Sequence, residues 1–329
     1  MEVKAHAGLQ GYFTLQRRNA NDELIEEIGE FPNIVLDTGL DRMAQGAWLG
    51  ACAVGTSNTP PTESDSALGN AVARTTNMTG IVTSVQNTTL PYYQEVRQTY
   101  RFAMGAAAGT LAEVGVGWGT ASTGGDLFDR ALIKDTLGNP TTITILSNEF
   151  LDVVFTLRIY YSETDKTEDF QLVDETDAVL MNSQVRSVVQ FTHAYPNTYN
   201  SGAGKMWNTA VRCVRYDGYY GVNESYAALW SAVTELGSEK VAASGTTGVS
   251  GWGGQELNSS AVYTYPDNRT VIYSSTIPID KGNGNVQGGY FCTNLGYVKF
   301  KLTEPVTKNN TETLTIRLKL TWGRYLGGA

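Results

Sequence analysis

The chain offers few side chains for acid–base or nucleophilic catalysis. Its two histidines, His6 and His193, lie far apart, so a Ser-His-Asp triad could use only His193. That histidine ends a predicted strand, where an ordinary structural or surface histidine is the favoured interpretation. The run Gly248-Val-Ser-Gly-Trp252 approaches the G-x-S-x-G nucleophile elbow, but a tryptophan stands at the final glycine position. We therefore predict that the protein is not an enzyme of this kind.

Cofactor and metal motifs are also incomplete. Gly202-Ala-Gly-Lys205 lacks the glycine spacing and the hydroxyl of a phosphate loop. Gly115-Val-Gly-Trp-Gly119 misplaces the third glycine of a dinucleotide fingerprint, and a bulged or tightly packed strand is favoured there. The carboxylates at 165–169 and 174–177 lack the spacing of a calcium loop. We predict no cofactor and no metal, although a glycosidase needs only two carboxylates and stays open.

The net charge, the cysteines and the lack of long apolar runs limit the kinds of partner and the cellular location that we expect. With 33 acidic and 24 basic residues, the net charge of −9 would repel nucleic acid and anionic membranes. Cys52, Cys213 and Cys292 are too far apart for a CxxC pair, and we expect free, buried thiols. No signal pattern opens the chain, and no apolar run approaches the roughly 20 residues that span a bilayer. We expect synthesis in the cytoplasm, with no nucleic-acid partner and no membrane insertion.

Aromatic residues are the feature that stands above background, with 18 tyrosines and six tryptophans. They crowd into residues 215–226 and recur near Trp252. Tyrosine and tryptophan give a large contact area and suit both protein interfaces and sugar faces. The alternative is that they are core and rim residues of a β protein. The predicted contact residues for a partner or receptor are Tyr216, Tyr219, Tyr220 and Trp252.

The composition favours short strands, and the first half shows them. Residues 11–31 predict a hairpin, Thr38 could cap a helix to Leu49, and residues 55–70 predict a long exposed loop. Apolar residues alternate from Leu151 to Ile159, so one face of that strand should be core. The predicted strands of this half are Ile81–Val85, Gln94–Met104, Ala112–Trp118, Leu127–Lys134, Thr142–Leu146 and Leu151–Tyr161.

A polar stretch, Ser162–Asp169, marks the predicted boundary between two domains, 1–162 and 163–329. The second half has a predicted helix, Tyr226–Leu236, capped by Ser225. Residues 151–157 and 314–320 alternate alike, which suggests a duplicated sandwich unless any two amphipathic strands would look so. We predict an all-β fold of two antiparallel β-sandwich-like domains, with at most one or two short helices. The predicted strands of this half are Ser187–Thr192, Lys205–Arg215, Ala261–Tyr265, Thr270–Ile279, Tyr297–Leu302 and Thr313–Trp322.

Several segments in the first 160 residues together give the chain a family likeness. Their order and spacing resemble tail-fibre and baseplate-associated proteins of long-tailed bacteriophages. The segments are Phe31-Pro-Asn-Ile-Val-Leu-Asp-Thr-Gly-Leu40, Ala53-Val-Gly-Thr56 with the loop Pro60-Pro-Thr-Glu-Ser-Asp-Ser-Ala-Leu68, Leu111-Ala-Glu-Val-Gly-Val-Gly-Trp118 and Leu127-Phe-Asp-Arg-Ala-Leu-Ile133.

The resemblance implies a structural role in the virion tail, near the tail tip. It implies assembly with other tail or baseplate proteins and a homo-oligomer, with a trimer favoured as in many fibres. One alternative is a receptor-binding module for host attachment, in which the tyrosine-rich second half contacts a surface glycan or protein. A less favoured alternative is a glycan depolymerase.

Overall fold

A computed structural model of the chain describes residues 2–86, 91–119, 125–160, 166–173, 179–190, 210–211, 216–217, 221–222, 226–232, 250–251, 262–280 and 283–327. These residues form strands almost throughout, with one short helix among them. In chain order the elements are β1 (Glu2–Arg18), β2 (Leu24–Pro32), β3 (Ile34–Val35), α1 (Asp37–Arg42), β4 (Ala51–Gly55), β5 (Ala71–Thr75), β6 (Met78–Gln86), β7 (Tyr93–Phe102), β8 (Gly109–Leu111), β9 (Glu113–Gly117), β10 (Leu127–Leu132), β11 (Ile143–Ile145), β12 (Phe150–Tyr160), β13 (Lys166–Val173), β14 (Val179–Gln190), β15 (Tyr216–Asp217), β16 (Gly221–Val222), β17 (Tyr226–Ala232), β18 (Ser250–Gly251), β19 (Val262–Asp267), β20 (Thr270–Ile277), β21 (Gly284–Thr293), β22 (Gly296–Lys308) and β23 (Leu314–Arg324).

Three large sheets organise these strands. An eight-stranded sheet runs β19-β20-β23-β1-β12-β7-β6, with β2 also paired to β1. A five-stranded sheet runs β3-β10-β9-β4-β5, and a six-stranded sheet runs β13-β14-β22-β21-β17-β18. The pairs β8–β11 and β15–β16 form two small ribbons. The predicted all-β, sandwich-like class is confirmed, and every described strand pair is antiparallel except that of β1 and β23.

Apolar residues from all three large sheets share one core. Phe13 on β1, Val116 on β9 and Phe300 on β22 belong to the same buried cluster. Strand β12 contributes the predicted alternating face, because every second residue from Leu151 to Ile159 is buried. Its other face is also covered in places, since the buried Asp152 bonds to arginines on neighbouring strands.

The predicted hairpin and the predicted strands of the first half are confirmed. The hairpin of β1 and β2 turns at residues 19–23, where the backbone N–H of Asp22 donates to the carbonyl of Asn19 at 3.0 Å. Strands β6, β7 and β9–β12 match the predicted segments, with ends that differ by at most three residues. Strand β9 is tightly packed as predicted, because a Cβ on Gly117 would lie 1.9 Å from the backbone oxygen of Asp126.

The predicted helix from Thr38 to Leu49 is wrong in its bounds. Helix α1 begins at Asp37, ends at Arg42 and has Leu36 at its N-cap without a capping side chain. The Thr38 hydroxyl donates instead to the carbonyl of Leu127 at 3.1 Å. Gly46 has φ +154°, which no α-helix contains, so the chain leaves the helix before it.

The predicted helix Tyr226–Leu236 is wrong where the structure describes it. Residues 226–232 form β17, which pairs with β21 from Tyr226 opposite Cys292 to Trp230 opposite Gly288. Hydrogen bonding to a distant strand here overrides the local helix propensity. Residues 233–236 lie outside the described part of the chain.

Strands from both sides of residue 162 share the eight-stranded sheet. Strand β23 pairs in parallel with β1, from Glu2 opposite Arg317 to Leu9 opposite Arg324. Strands β12 and β23, on which the duplication idea rests, therefore flank β1 on its two sides. The predicted division into 1–162 and 163–329 and the duplication both stay predictions, but the C-terminal strands complete the sheet of the N-terminal half.

Candidate functional site

The predicted contact residues fall largely beyond what the structure describes. Tyr216 belongs to β15, where only the backbone is described, and Tyr219, Tyr220 and Trp252 lie outside the described residues. Their role as a partner or receptor contact stays a prediction. Cys52 is free and buried, as expected, whereas the side chains of the other two cysteines lie outside the described part.

A different set of residues is brought together, and it comes from the segments that carry the family likeness. Asn33 precedes β3, and its side-chain N–H donates to Asp129 Oδ2 on β10 at 2.6 Å. The backbone N–H of Val116 on β9 donates to Asp129 Oδ1 at 2.9 Å. Asp129 is fully buried, and this burial raises the pKa of its carboxyl well above the usual value. Three segments distant in sequence thus meet at one carboxyl group.

A buried ion pair lies on the same two strands. Arg130 on β10 donates to Glu113 Oε2 on β9 through Nε at 3.0 Å and through Nη2 at 2.8 Å. The side chains of Arg130 and Glu113 are 4% and 0% exposed. Both charges have left water, and the pair remains favourable only if further hydrogen bonds satisfy their other donors and acceptors.

Those further bonds come from the loop between β4 and β5. Arg130 donates to the carbonyl of Thr59 at 3.0 Å and to the carboxylate of Asp65. Glu113 accepts three backbone N–H bonds from the loop, from Ser57 at 3.2 Å, Gly69 at 2.9 Å and Asn70 at 2.8 Å. The ion pair therefore fixes both ends and the middle of the loop.

Residues 57–66, the solvent-facing part of this loop, form the presented loop. Asn58, Thr59, Pro60 and residues 62–64 are exposed. At its centre, the Glu63 carboxylate forms an ion pair with Arg324 Nη1 at 3.0 Å. The backbone carbonyl of Glu63 accepts a hydrogen bond from the backbone N–H of Asp37 at 2.8 Å. The presented loop is thus exposed to solvent, yet it is held by Arg130, by Arg324 and by the backbone of Asp37.

Helix α1 is clamped to the C-terminal strands beside the presented loop. Asp37 Oδ1 accepts from Arg269 Nη2 at 2.8 Å and from Arg324 Nη2 at 2.9 Å, and Asp41 accepts from Arg269 Nε at 2.7 Å. The hydrogen bonds from the two arginines lower the pKa of Asp37. The indole N–H of Trp322 donates to the carbonyl of Leu40 at 2.8 Å.

A second cluster, the tyrosine group, joins strands β1, β7 and β12 of the eight-stranded sheet to the residue that follows β23. It consists of Tyr12, Tyr93, Tyr160 and Tyr325 with Arg158. Tyr325 stacks on Tyr160 with ring centroids 3.6 Å apart, and Tyr93 lies 5.3 Å from Tyr160. The Arg158 guanidinium covers the Tyr12 ring at 4.2 Å. Because these rings pack mainly against one another, the tyrosine group stabilises the contact between neighbouring strands.

The part of the chain that the structure describes contains neither a cluster of metal ligands nor a membrane-spanning helix. No group of three or more histidine, cysteine or acidic side chains there could hold a metal ion. No described helix is long and apolar enough to cross a membrane. Among the described residues, the buried pair Arg130 and Glu113 instead holds the backbone of the loop between β4 and β5.

Asn33, Glu113, Asp129 and Arg130 were not predicted as individual site residues, although they lie in the segments that carry the resemblance. A signal for them was present, because charged residues interrupt runs that are otherwise apolar, as in Leu127-Phe-Asp-Arg-Ala-Leu-Ile133. A charge inside a buried strand needs a partner. The identity of that partner could not be predicted from the sequence, because the paired residues lie 17 or more positions apart.

Comparison of the chain with protein-family models, curated proteins and solved structures found no match.

Proposed function

We propose that this protein is a structural, non-enzymatic component of a bacteriophage tail that assembles with other tail proteins near the tail tip. The observation that supports this most is the convergence of the resembling segments on one buried polar network. Asn33 and the backbone N–H of Val116 both donate to Asp129, and Glu113 and Arg130 hold the loop that contains Pro60 and Pro61. The resemblance therefore concerns one folded unit.

The presented loop is the part of this unit suited to a partner. A surface loop held by a buried ion pair loses little conformational entropy when another protein binds it. Its exposed residues are small, polar or proline, and Glu63 is the charge at its centre. Such a surface suits a specific contact inside an assembly, and we propose that a neighbouring tail protein covers it.

Electron cryomicroscopy of virions carrying an epitope tag on this chain tests the proposed role. The proposal expects the tag antibody on the tail tip or baseplate of every particle. Antibody on no particle, with the tagged chain present in the infected cell, would contradict it. An untagged virion preparation is the control for antibody specificity.

A further inference from the structure

Strand β6 forms one edge of the eight-stranded sheet. It runs for nine residues, Met78–Gln86, and pairs with β7 on one side only within the described part of the chain. In an antiparallel sheet, alternate residues of an edge strand direct their N–H and C=O groups away from the sheet. Val82, at the middle of β6, is 59% exposed. The edge is long and carries an exposed apolar side chain at its centre.

The other long edge strands are protected against pairing, and β6 is not. Charged residues and proline on an edge prevent a second strand from docking. Among the described edge strands longer than five residues, β6 alone has neither. The others carry Glu26, Glu27, Glu30 and Pro32 on β2, Lys166, Glu168 and Asp169 on β13, and Pro266 and Asp267 on β19.

The composition of β6 points in the same direction. Its sequence, Met-Thr-Gly-Ile-Val-Thr-Ser-Val-Gln, is dominated by β-branched residues and has no charge. Such a segment left open on an edge is a hazard for aggregation. Among the described long edges, β6 is therefore the neutral one and the one best suited to accept another strand.

We infer that β6 pairs in antiparallel fashion with β6 of a second copy of this chain, about a two-fold axis at Val82. The strand is self-complementary in this register, because Val82 lies opposite Val82, Ile81 opposite Thr83 and Gly80 opposite Ser84. No like charges meet across the contact, although each copy carries a net charge of −9. A two-fold contact is also the commonest form of association between identical chains.

This inference does not depend on the proposed place in a phage tail. The contact joins subunits in pairs, so a complex built on it contains an even number of copies. The threefold assembly implied by the likeness to fibre proteins would have to use another surface.

Sedimentation of the full chain with variants at both edges tests the inference. The wild-type protein should form an even-numbered complex, and Val82→Lys should halve its mass by raising the dissociation constant tenfold or more. Val82→Thr, which keeps a neutral β-former, and Val262→Lys, at the 57% exposed Val262 of the opposite edge, should keep the wild-type mass. Thermal unfolding and far-UV circular dichroism would show that each variant is folded.

Three outcomes would overturn the inference. The first is a wild-type chain that stays monomeric or forms only trimers at high concentration. The second is a folded Val82→Lys variant with the wild-type mass. The third is loss of mass with Val262→Lys equal to the loss with Val82→Lys, since that would place the contact elsewhere.

Discussion

Two aspartates near α1 and β10 show how differently the chain uses the same side chain. Asp129 is fully buried between two neutral donors, and burial raises the pKa of its carboxyl. Asp37 is part-exposed between two arginines, whose hydrogen bonds lower its pKa. At neutral pH, Asp37 therefore contributes to stability as a carboxylate, whereas ionisation of Asp129 opposes folding.

Replacing Arg130 tests the buried ion pair. Arg130→Met should lower the free energy of unfolding by about 3–5 kcal/mol, because Glu113 would remain buried without its charged partner. The presented loop should also become sensitive to protease. Denaturant unfolding and limited proteolysis measure both effects.

Arg97→Met is the matched control for Arg130→Met. Arg97 pairs with the buried Glu95 at 2.7 Å, but the Arg97 side chain is 50% exposed. Because Glu95 keeps Arg158 as a charged partner at 2.7 Å, loss of the exposed Arg97 should change the free energy of unfolding by less than about 1 kcal/mol. Equal losses in the two variants would contradict the role given to the buried pair.

The hydroxyl of Tyr100 is a buried polar group that the described structure leaves unsatisfied. It has no hydrogen-bond partner among the described residues, and burial raises its pKa well above the usual value. Tyr100→Phe should therefore leave the free energy of unfolding unchanged or raise it by up to about 1 kcal/mol. A loss of more than about 1 kcal/mol in chemical denaturation would show that the hydroxyl has a partner.

The contact of Asp37 with Arg269 and Arg324 should depend on pH. A carboxyl whose pKa is lowered by folding adds stability above its unfolded pKa of about 3.9 and loses that stability as the pH falls through the folded value. Wild-type protein should thus be more stable than Asp37→Asn at pH 7, and the difference should shrink below about pH 4. Unfolding curves of both proteins from pH 2 to 7 measure this, and a constant difference would argue against the ion pairs.

At the scale of elements, local patterns were readable and long-range pairings were not. The hairpin β1–β2 and the alternating strand β12 follow from turn residues and from a period of two, both local signals. Strand β17 was mistaken for a helix because its partner β21 lies some 60 residues further along the chain. The parallel pairing of β1 with β23 joins strands from opposite ends of the chain, and no local sequence pattern predicts it.

The close approach of β9 and β10 gives a prediction for one glycine. Gly117→Ala should lower the free energy of unfolding by about 1–3 kcal/mol, because its Cβ would overlap the backbone at the start of β10. The Cβ would lie 1.9 Å from the Asp126 oxygen and 2.7 Å from the Leu127 Cα.

Gly29→Ala is the control for Gly117→Ala. Nothing lies within 4 Å of a Cβ at Gly29 on β2, so this variant should be as stable as the wild type. Thermal unfolding of the two variants side by side makes the comparison. Equal stability of both would mean that β9 and β10 are further apart than described.

At the scale of the whole molecule, both ends of the chain build one sheet, and the clamp on α1 ties the C-terminal strands to the presented loop. The all-β class and most first-half strands could be predicted from the sequence. The candidate site could not, because it depends on which distant charges meet inside the fold. The tyrosine-rich segment around Tyr216 stays a predicted contact that the described residues do not reach.

The most direct test of a structural role in a phage tail is a reconstruction of the virion tail at side-chain resolution. We predict density for the eight-stranded sheet near the tail tip, with the presented loop, residues 57–66, buried against a different tail protein. A tail reconstructed in full that has no place for this fold would contradict the proposed function.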